Sequence, residues 1–168
     1  DVSATSGIPL REFSSGSCSI STDKKSADPL NVEYYSTDAR FIPAMNLELI
    51  AGTNFRSGLG SSNENSVILN QKAVKQLNFK NAADAVGSHI LLDSTHVQIV
   101  GVYKDFINWN VKFGSMPFVL RFRPSEFDQL IVKIAPENKH STVAALKAAW
   151  TKIIPKKNFE YEFYEVFM

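Results

Sequence analysis

The 168-residue sequence predicts an α+β fold in two lobes. Three observations predict it. Short apolar runs with period-two alternation recur along the chain, interleaved with stretches whose apolar residues repeat at helical spacing. The last of these stretches forms a complete strand–helix–strand pattern. The pattern breaks at Gly52 and again near Arg123-Pro124, dividing the chain into 1–52 plus 121–168 and a unit inserted at 53–120.

Residues 1–31 carry little pattern. Val2-Ser3-Ala4 suits a short strand, and the rest, including Ser14-Ser15-Gly16-Ser17 and Asp28-Pro29, reads as loop. Leu30, Val32 and Tyr34 alternate with polar neighbours as a strand does. Asp38 can cap a short helix with Phe41, Ile42 and Met45 on its inner side. Leu47 to Ala51 is extended and ends at Gly52. A polar Gly/Ser/Asn loop at 53–66 leads to the buried strand Val67-Ile68-Leu69. Asn70 then caps a helix carrying Ala73, Val74 and Leu77, and a helical turn from Asn81 closes at Gly87.

Strands Ser88–Leu92 and His96–Tyr103 form a hairpin around Asp93-Ser94-Thr95. Gly101 inside the second strand marks a bulge or a close backbone approach. A long loop at 104–116 precedes the strand Phe118–Phe122. Gln129–Ala135 is a strand, and Ser141 caps a helix bearing Val143, Leu146, Trp150 and Ile153 that Pro155 stops. Phe159–Glu165 alternates aromatic and acidic residues and is expected to be the partner strand, in one sheet with 30–35 and 129–135.

Hydrophobic residues make up 44% of the chain, which places it with globular domains rather than disordered ones. Eighteen Lys plus Arg against seventeen Asp plus Glu give a net charge of +1, with no field to steer toward nucleic acid. One cysteine, Cys18, excludes an internal disulfide. No apolar run approaches the ~18–20 residues that span a bilayer. Both ends, Asp1 and Met168, are expected to be points where a longer chain continues.

The residues for catalysis are scattered. His89, His96 and His140 share no metal-ligand spacing with each other or with Cys18, although His89 and His96 sit on facing arms of the hairpin. Ser57-Gly58-Leu59-Gly60-Ser61 opens no helix and is a loop rather than a phosphate cradle. Glu160 and Glu162 stand about 7 Å apart on one strand face, which suits a solvated surface. Asp105 is expected to turn the chain by accepting backbone N–H bonds, with Phe106 as a core plug. No enzyme activity, metal or cofactor is expected. The loop 107–116 stands apart because it carries Ile107, Trp109, Val111, Phe113 and Met116. These either fold back on the core or offer an apolar patch, and Trp109, Val111 and Phe113 are the candidate partner contact.

A series of segments carries a resemblance. Asp38 with Phe41, Leu49-Ile50-Ala51-Gly52 with Phe55, Val67-Ile68-Leu69-Asn70 with Ala73, and Ala85-Val86-Gly87 come in order. Ile99-Val100-Gly101-Val102-Tyr103-Lys104-Asp105-Phe106 is the most specific, followed by Pro117-Phe118-Val119-Leu120, Trp150 and Phe159–Phe163. From Val32 onward the chain resembles the extracytoplasmic core domain of MacB/FtsX-type ABC transporter permeases, in their Bacteroidetes-like form. Thr53, Gln71 and Asn78 depart from the residues usual there.

The resemblance implies a membrane-proximal βαβ lobe from both chain ends and a mainly β inserted lobe. It implies a periplasmic location between transmembrane helices of a bacterial inner-membrane protein. It further implies a non-catalytic role, in which the domain transmits conformational change for efflux or export and contacts a partner or substrate. Implied partners are the transmembrane helices, a cytoplasmic ATPase subunit or domain, a periplasmic adaptor protein and a second copy in a homodimer. The rival reading is a secreted or lipid-anchored binding module, such as an adhesin or carbohydrate binder.

Overall fold

The structure, a computed structural model, describes residues 1–8, 16–22, 29–58, 60–106 and 115–163. Nine strands and four α-helices follow in the order β1 (Val2–Thr5), β2 (Gly16–Ser21), β3 (Leu30–Ser36), α1 (Phe41–Ala44), β4 (Leu49–Gly52), β5 (Ser66–Asn70), α2 (Gln71–Gln76), α3 (Ala82–Ala85), β6 (His89–Leu92), β7 (Thr95–Tyr103), β8 (Phe118–Arg121), β9 (Gln129–Val132) and α4 (Lys139–Ile153).

Seven strands share one sheet in the order β4-β7-β5-β8-β3-β2-β6, and β6 also pairs with β7. The sheet therefore closes on itself, with every strand but β4 in the ring. The long strand β7 makes closure possible. Its first half pairs with β6 through Leu92↔Thr95 to His89↔Gln98, and its second half pairs with β4. β5 lies along its other side, parallel.

Alternation along the strands divides the core in two. Val67 and Leu69 of β5, Val119 of β8, Cys18 and Ile20 of β2, and Ile90 and Leu92 of β6 point into the ring, where Ala73, Val74 and Leu77 join them. Ile68, Phe118, Leu120, Tyr35 and Tyr103 point outward, against Phe41, Ile42, Met45, Phe55 and Phe122. Tyr35 and Phe118 meet edge to face at 4.5 Å between ring centres, a contact that adds about 0.5–1.5 kcal/mol to area burial.

Local signals act largely as the sequence predicts. The Asn70 side chain accepts from Ala73 N–H at 3.0 Å and caps α2, and Asn81 caps α3 through Asp84 N–H at 2.9 Å. Asp38, expected to cap α1, does not: Arg40 holds the N-cap position without a side-chain cap, and Asp38 accepts from Arg40 N–H at 2.9 Å in the turn before it. Asp93 and Ser94 both have positive φ, 46° and 71°, as a two-residue hairpin turn matched to strand twist requires. Gly101 serves both expected purposes. The β5–β7 register slips opposite it, between Val67/Ile68, and a side chain there would place its Cβ 2.4 Å from the Thr53 carbonyl oxygen.

Four further expectations are corrected. Residues 16–21, read as loop, form β2, because Cys18 and Ile20 alternate with serines and supply the inward face. Ser141 does not cap α4. The helix starts at Lys139, and Ser141 Oγ donates to the Asn138 carbonyl at 3.0 Å inside the first turn.

The segment 159–163 is not a strand, because no neighbouring strand pairs with it among the described residues. Its alternating rings stack on one another and on helix α4. Trp150 to Phe159 is 6.2 Å, Phe159 to Tyr161 5.5 Å and Tyr161 to Phe163 5.4 Å, and Lys139 Nζ sits 3.7 Å over Phe163. The segment thus runs back along α4 toward its start.

Finally, strands 30–36 and 129–132 do not share a sheet. β9 pairs with β1 in a separate ribbon, while β5 lies centrally in the sheet that holds β3. The boundaries at 52/53 and 120/121 therefore do not separate two sheets. Long-range pairing of β5 with β8 and of β3 with β8 overrides the local pattern breaks. The ribbon is tied to the end of β3 by a Thr5↔Thr37 bridge and by Ser3 Oγ donating to Asp38 at 2.7 Å. Among the described residues no helix is long and apolar enough to cross a membrane.

Candidate functional site

The two ends of the strand ring differ. At one end, β5 finishes at Asn70, β7 finishes at Tyr103 and β8 begins at Phe118, and the registers set these three side by side. Asn70 joins them. Besides capping α2, its Oδ1 accepts from Phe118 N–H at 2.9 Å, and its Nδ2 donates to the Met116 carbonyl at 2.7 Å and Ser115 Oγ at 3.2 Å. Asp105 meets the same helix end. Its carboxylate accepts from Lys72 N–H at 3.0 Å, and its own N–H donates to Gln71 Oε1 at 3.3 Å. Phe106 packs on Tyr103 at 5.9 Å, as a core plug should. The residues on both sides of 107–114 are thus fastened to the first turn of α2. Trp109, Val111 and Phe113 themselves lie outside the described residues.

The opposite end of the ring is a cleft of about 190 Å³ lined by Glu64, Asn65, Thr95, Val97, Arg121, Arg123 and Ser125. Arg121 shares the inward parity of Val119 on β8 and is 5% exposed. Its guanidinium carbon stands 4.7 Å from the centre of the Tyr34 ring. That ring in turn lies over Gly16, whose missing side chain makes the space: a Cβ there would fall 2.5 Å from Tyr34 Cζ. Arg123 pairs with Glu126 at 3.5 Å, and Glu126 also accepts from Ser36 Oγ. Burial, with the Glu126 carboxylate close by, raises the Tyr34 pKa. Sequence reading missed Arg121, yet the signal was present as one cation inside the apolar run Phe118–Phe122.

Other candidates are brought together with nothing. His89 pairs with Gln98 and His96 with Leu91, so the two histidines are diagonal rather than opposite, and both are exposed. No group of three metal-ligating residues occurs among the described residues. Cys18 is buried, and burial, assisted by Asp93, pushes its thiol up to about 12. Such a thiol carries almost no thiolate near neutrality. Tyr103 is fully buried with no partner for its hydroxyl among the described residues, and burial raises its pKa well above the usual value.

The fold has solved relatives. It is similar to the periplasmic region of MacB from Actinobacillus actinomycetemcomitans, with a TM-score of 0.67 at 13% identity over 94% of this chain and 68% of that one. The extracellular domain of the noncanonic ABC-type transporter YknZ from Gram-positive bacteria gives 0.66 at 11% identity, over 94% and 77%. A domain assigned to a permease of Porphyromonas gingivalis gives 0.52 at 10% identity, over 92% and 71%. No curated protein sequence matches significantly. Residues 8–151 match the MacB-like periplasmic core domain. With most of its length inside that match and the same fold beneath it, the chain belongs to the MacB-like periplasmic core domain family, the extracytoplasmic domains of ABC-type transporter permeases.

Proposed function

We propose that this domain is a non-catalytic transmitter. It passes conformational change between the membrane part of a permease, driven by a cytoplasmic ATPase, and a periplasmic partner or substrate that it contacts through Trp109, Val111 and Phe113. The observation that carries the reading is the double anchorage of the segment 107–114. Asn70 and Asp105 fasten its two flanks to one helix turn on a closed strand ring. A contact made by that segment loads the ring directly, and packed sheets move as rigid bodies.

Two further features support it. Asp1 and Phe163 both lie against the connection from β9 to α4. Lys133 N–H donates to the Asp1 carbonyl at 2.8 Å, and Lys139 stands over Phe163. Load arriving through either flank therefore reaches the same place. The polar groups that could do chemistry are also engaged structurally, with Asp38, Asp105 and Asn70 each bonded to backbone N–H groups.

The test is Trp109→Ala in the full permease. Transport and capture of the periplasmic partner should fall, while basal ATP hydrolysis and folding stay as in the parent. Transport and capture unchanged in a folded variant would remove the contact.

A further inference from the structure

A guanidinium is costly to bury without an acceptor. Arg121 is 5% exposed, yet its side chain makes no hydrogen bond or ion pair with any described residue. Among the described residues its cation–π partner is Tyr34, with the guanidinium carbon 4.7 Å from the ring centre. A cation over an aromatic face recovers only ~0.5–2 kcal/mol, and stacking leaves the in-plane N–H donors unused. None of those nitrogens is both sealed from solvent and unpartnered. They therefore face the cleft at the open end of the ring.

The cleft is made for such a donor. Its 190 Å³ would hold about six water molecules at roughly 30 Å³ each. Around Arg121 it presents the hydroxyl residues Thr95 and Ser125, the amide of Asn65 and the second guanidinium of Arg123, with Val97 as its apolar wall. Arg123 is already neutralised by Glu126. Glu64, exposed on the same lining, adds a negative charge. The free positive charge therefore amounts to that of Arg121 less the influence of Glu64. A lining so close to neutral disfavours a dianion and leaves recognition of an acceptor to the N–H donors of Arg121.

Orientation is built in as well. The Tyr34 ring holds the guanidinium carbon over its face, and Gly16 allows the ring to lie where it does. The planar fork of a guanidinium matches the two oxygens of a carboxylate. We propose that the cleft is a carboxylate-binding site in which Arg121 takes the carboxylate of a small organic acid or of an acidic side chain, with Thr95 and Ser125 completing the contacts.

The test follows backbone amide shifts of the full chain by NMR during titration at constant ionic strength. The probes are acetate, a tripeptide with blocked termini and a central Glu, and inorganic phosphate. Acetate or the peptide should saturate with shifts centred on Thr95, Arg121 and Ser125. Tighter binding of acetate points to a free acid, tighter binding of the peptide to an acidic side chain, and either result supports the site. Arg121→Lys keeps the charge but not the fork and should weaken binding at least tenfold, whereas Arg123→Gln should weaken it less. Three outcomes overturn the proposal: no saturable shifts with either carboxylate, equal affinity in Arg121→Lys, or tighter binding of phosphate than of both carboxylates. Because Arg121→Lys retains a buried cation and the length of the stem, it keeps the test open if Arg121→Gln does not fold.

Discussion

Asn70 Oδ1 lies 2.9 Å from Phe118 N and 3.0 Å from Ala73 N, so one oxygen both caps a helix and starts a strand 48 residues away. Both bonds are buried, and the residue itself is 1% exposed.

Asn70→Ala leaves those two donors without an acceptor and should cost about 1–3 kcal/mol. Asn70→Ser keeps a cap oxygen for Ala73 N–H, loses the bonds to Phe118, Met116 and Ser115, and should cost less. Urea unfolding of the three proteins checks the order. Equal midpoints for Asn70→Ala and the parent would remove the role.

Gly101 is the second point of tight construction. Gly101→Ala drives a methyl against the Thr53 carbonyl oxygen, a backbone atom that cannot swing aside. The strain should lower stability by about 1–3 kcal/mol, as overpacking does. The urea midpoint should fall with its slope unchanged, since the surface exposed on unfolding is the same.

Cys18 links stability to pH. Its thiol is held neutral up to about 12 in the fold, against 9.0 ordinarily. Between those values the unfolded chain has lost the proton and the folded one has kept it, so stability falls as pH rises from 9.0 toward 12. Cys18→Ala should flatten that fall, as measured by the thermal midpoint at stepped pH. Native protein at pH 8 should also react with a thiol reagent orders of magnitude more slowly than protein in denaturant.

Helix α4 should be the least protected element. It has no buried residue, and Ile153 at its end is 76% exposed. Its contacts to the segment that follows it include the Trp150–Phe159 pair, Lys139 over Phe163, and the indole N–H donating to the Lys157 carbonyl at 3.0 Å. Amide exchange across 139–153 should be much faster than across β5 and the end of β7, where Ile68, Leu69, Val102 and Tyr103 are fully buried. Trp150→Ala should speed exchange in α4 and leave β5 untouched.

How far the sequence could be read followed the range of each interaction. The Asn70 and Asn81 caps were legible because acceptor and donor are three residues apart. Asp105 was legible as a turn-former, although its target, Lys72 N–H, is not visible from its neighbours. Strand β2 escaped notice because Cys18 and Ile20 are its only apolar residues, and their alternation means something only once β3 and β6 flank them. The rings of 159–163 alternate as a strand's would, yet alternation does not say whether the partner is a strand or, as here, the flank of a helix. Arg121 shows the same limit. A cation in an apolar run is plain to see, but its unanswered donors emerge only when β8, β3 and the start of β7 enclose one space. The expected shared sheet of 30–35 and 129–135 was misread for a related reason, because ring closure joins residues from 16 to 121 that no local break foretells.

Closure has an effect on association. An open sheet ends in two strands whose free N–H and C=O groups can recruit another chain, and long flat edges of that kind aggregate. A ring has no terminal strand to offer. Among the described residues the open ladder positions of the main sheet are short: the outer side of β4, four residues long and ended by Gly52 at a φ of 72°, and stretches such as the part of β2 before Ile20 that β6 does not reach. The β1–β9 ribbon adds the outer side of β9, since that of β1 is engaged by the Thr5↔Thr37 bridge and by Asp38 N–H donating to the Ala4 carbonyl. Among the described strands, edge-to-edge growth would thus have only stubs of a few residues to start from.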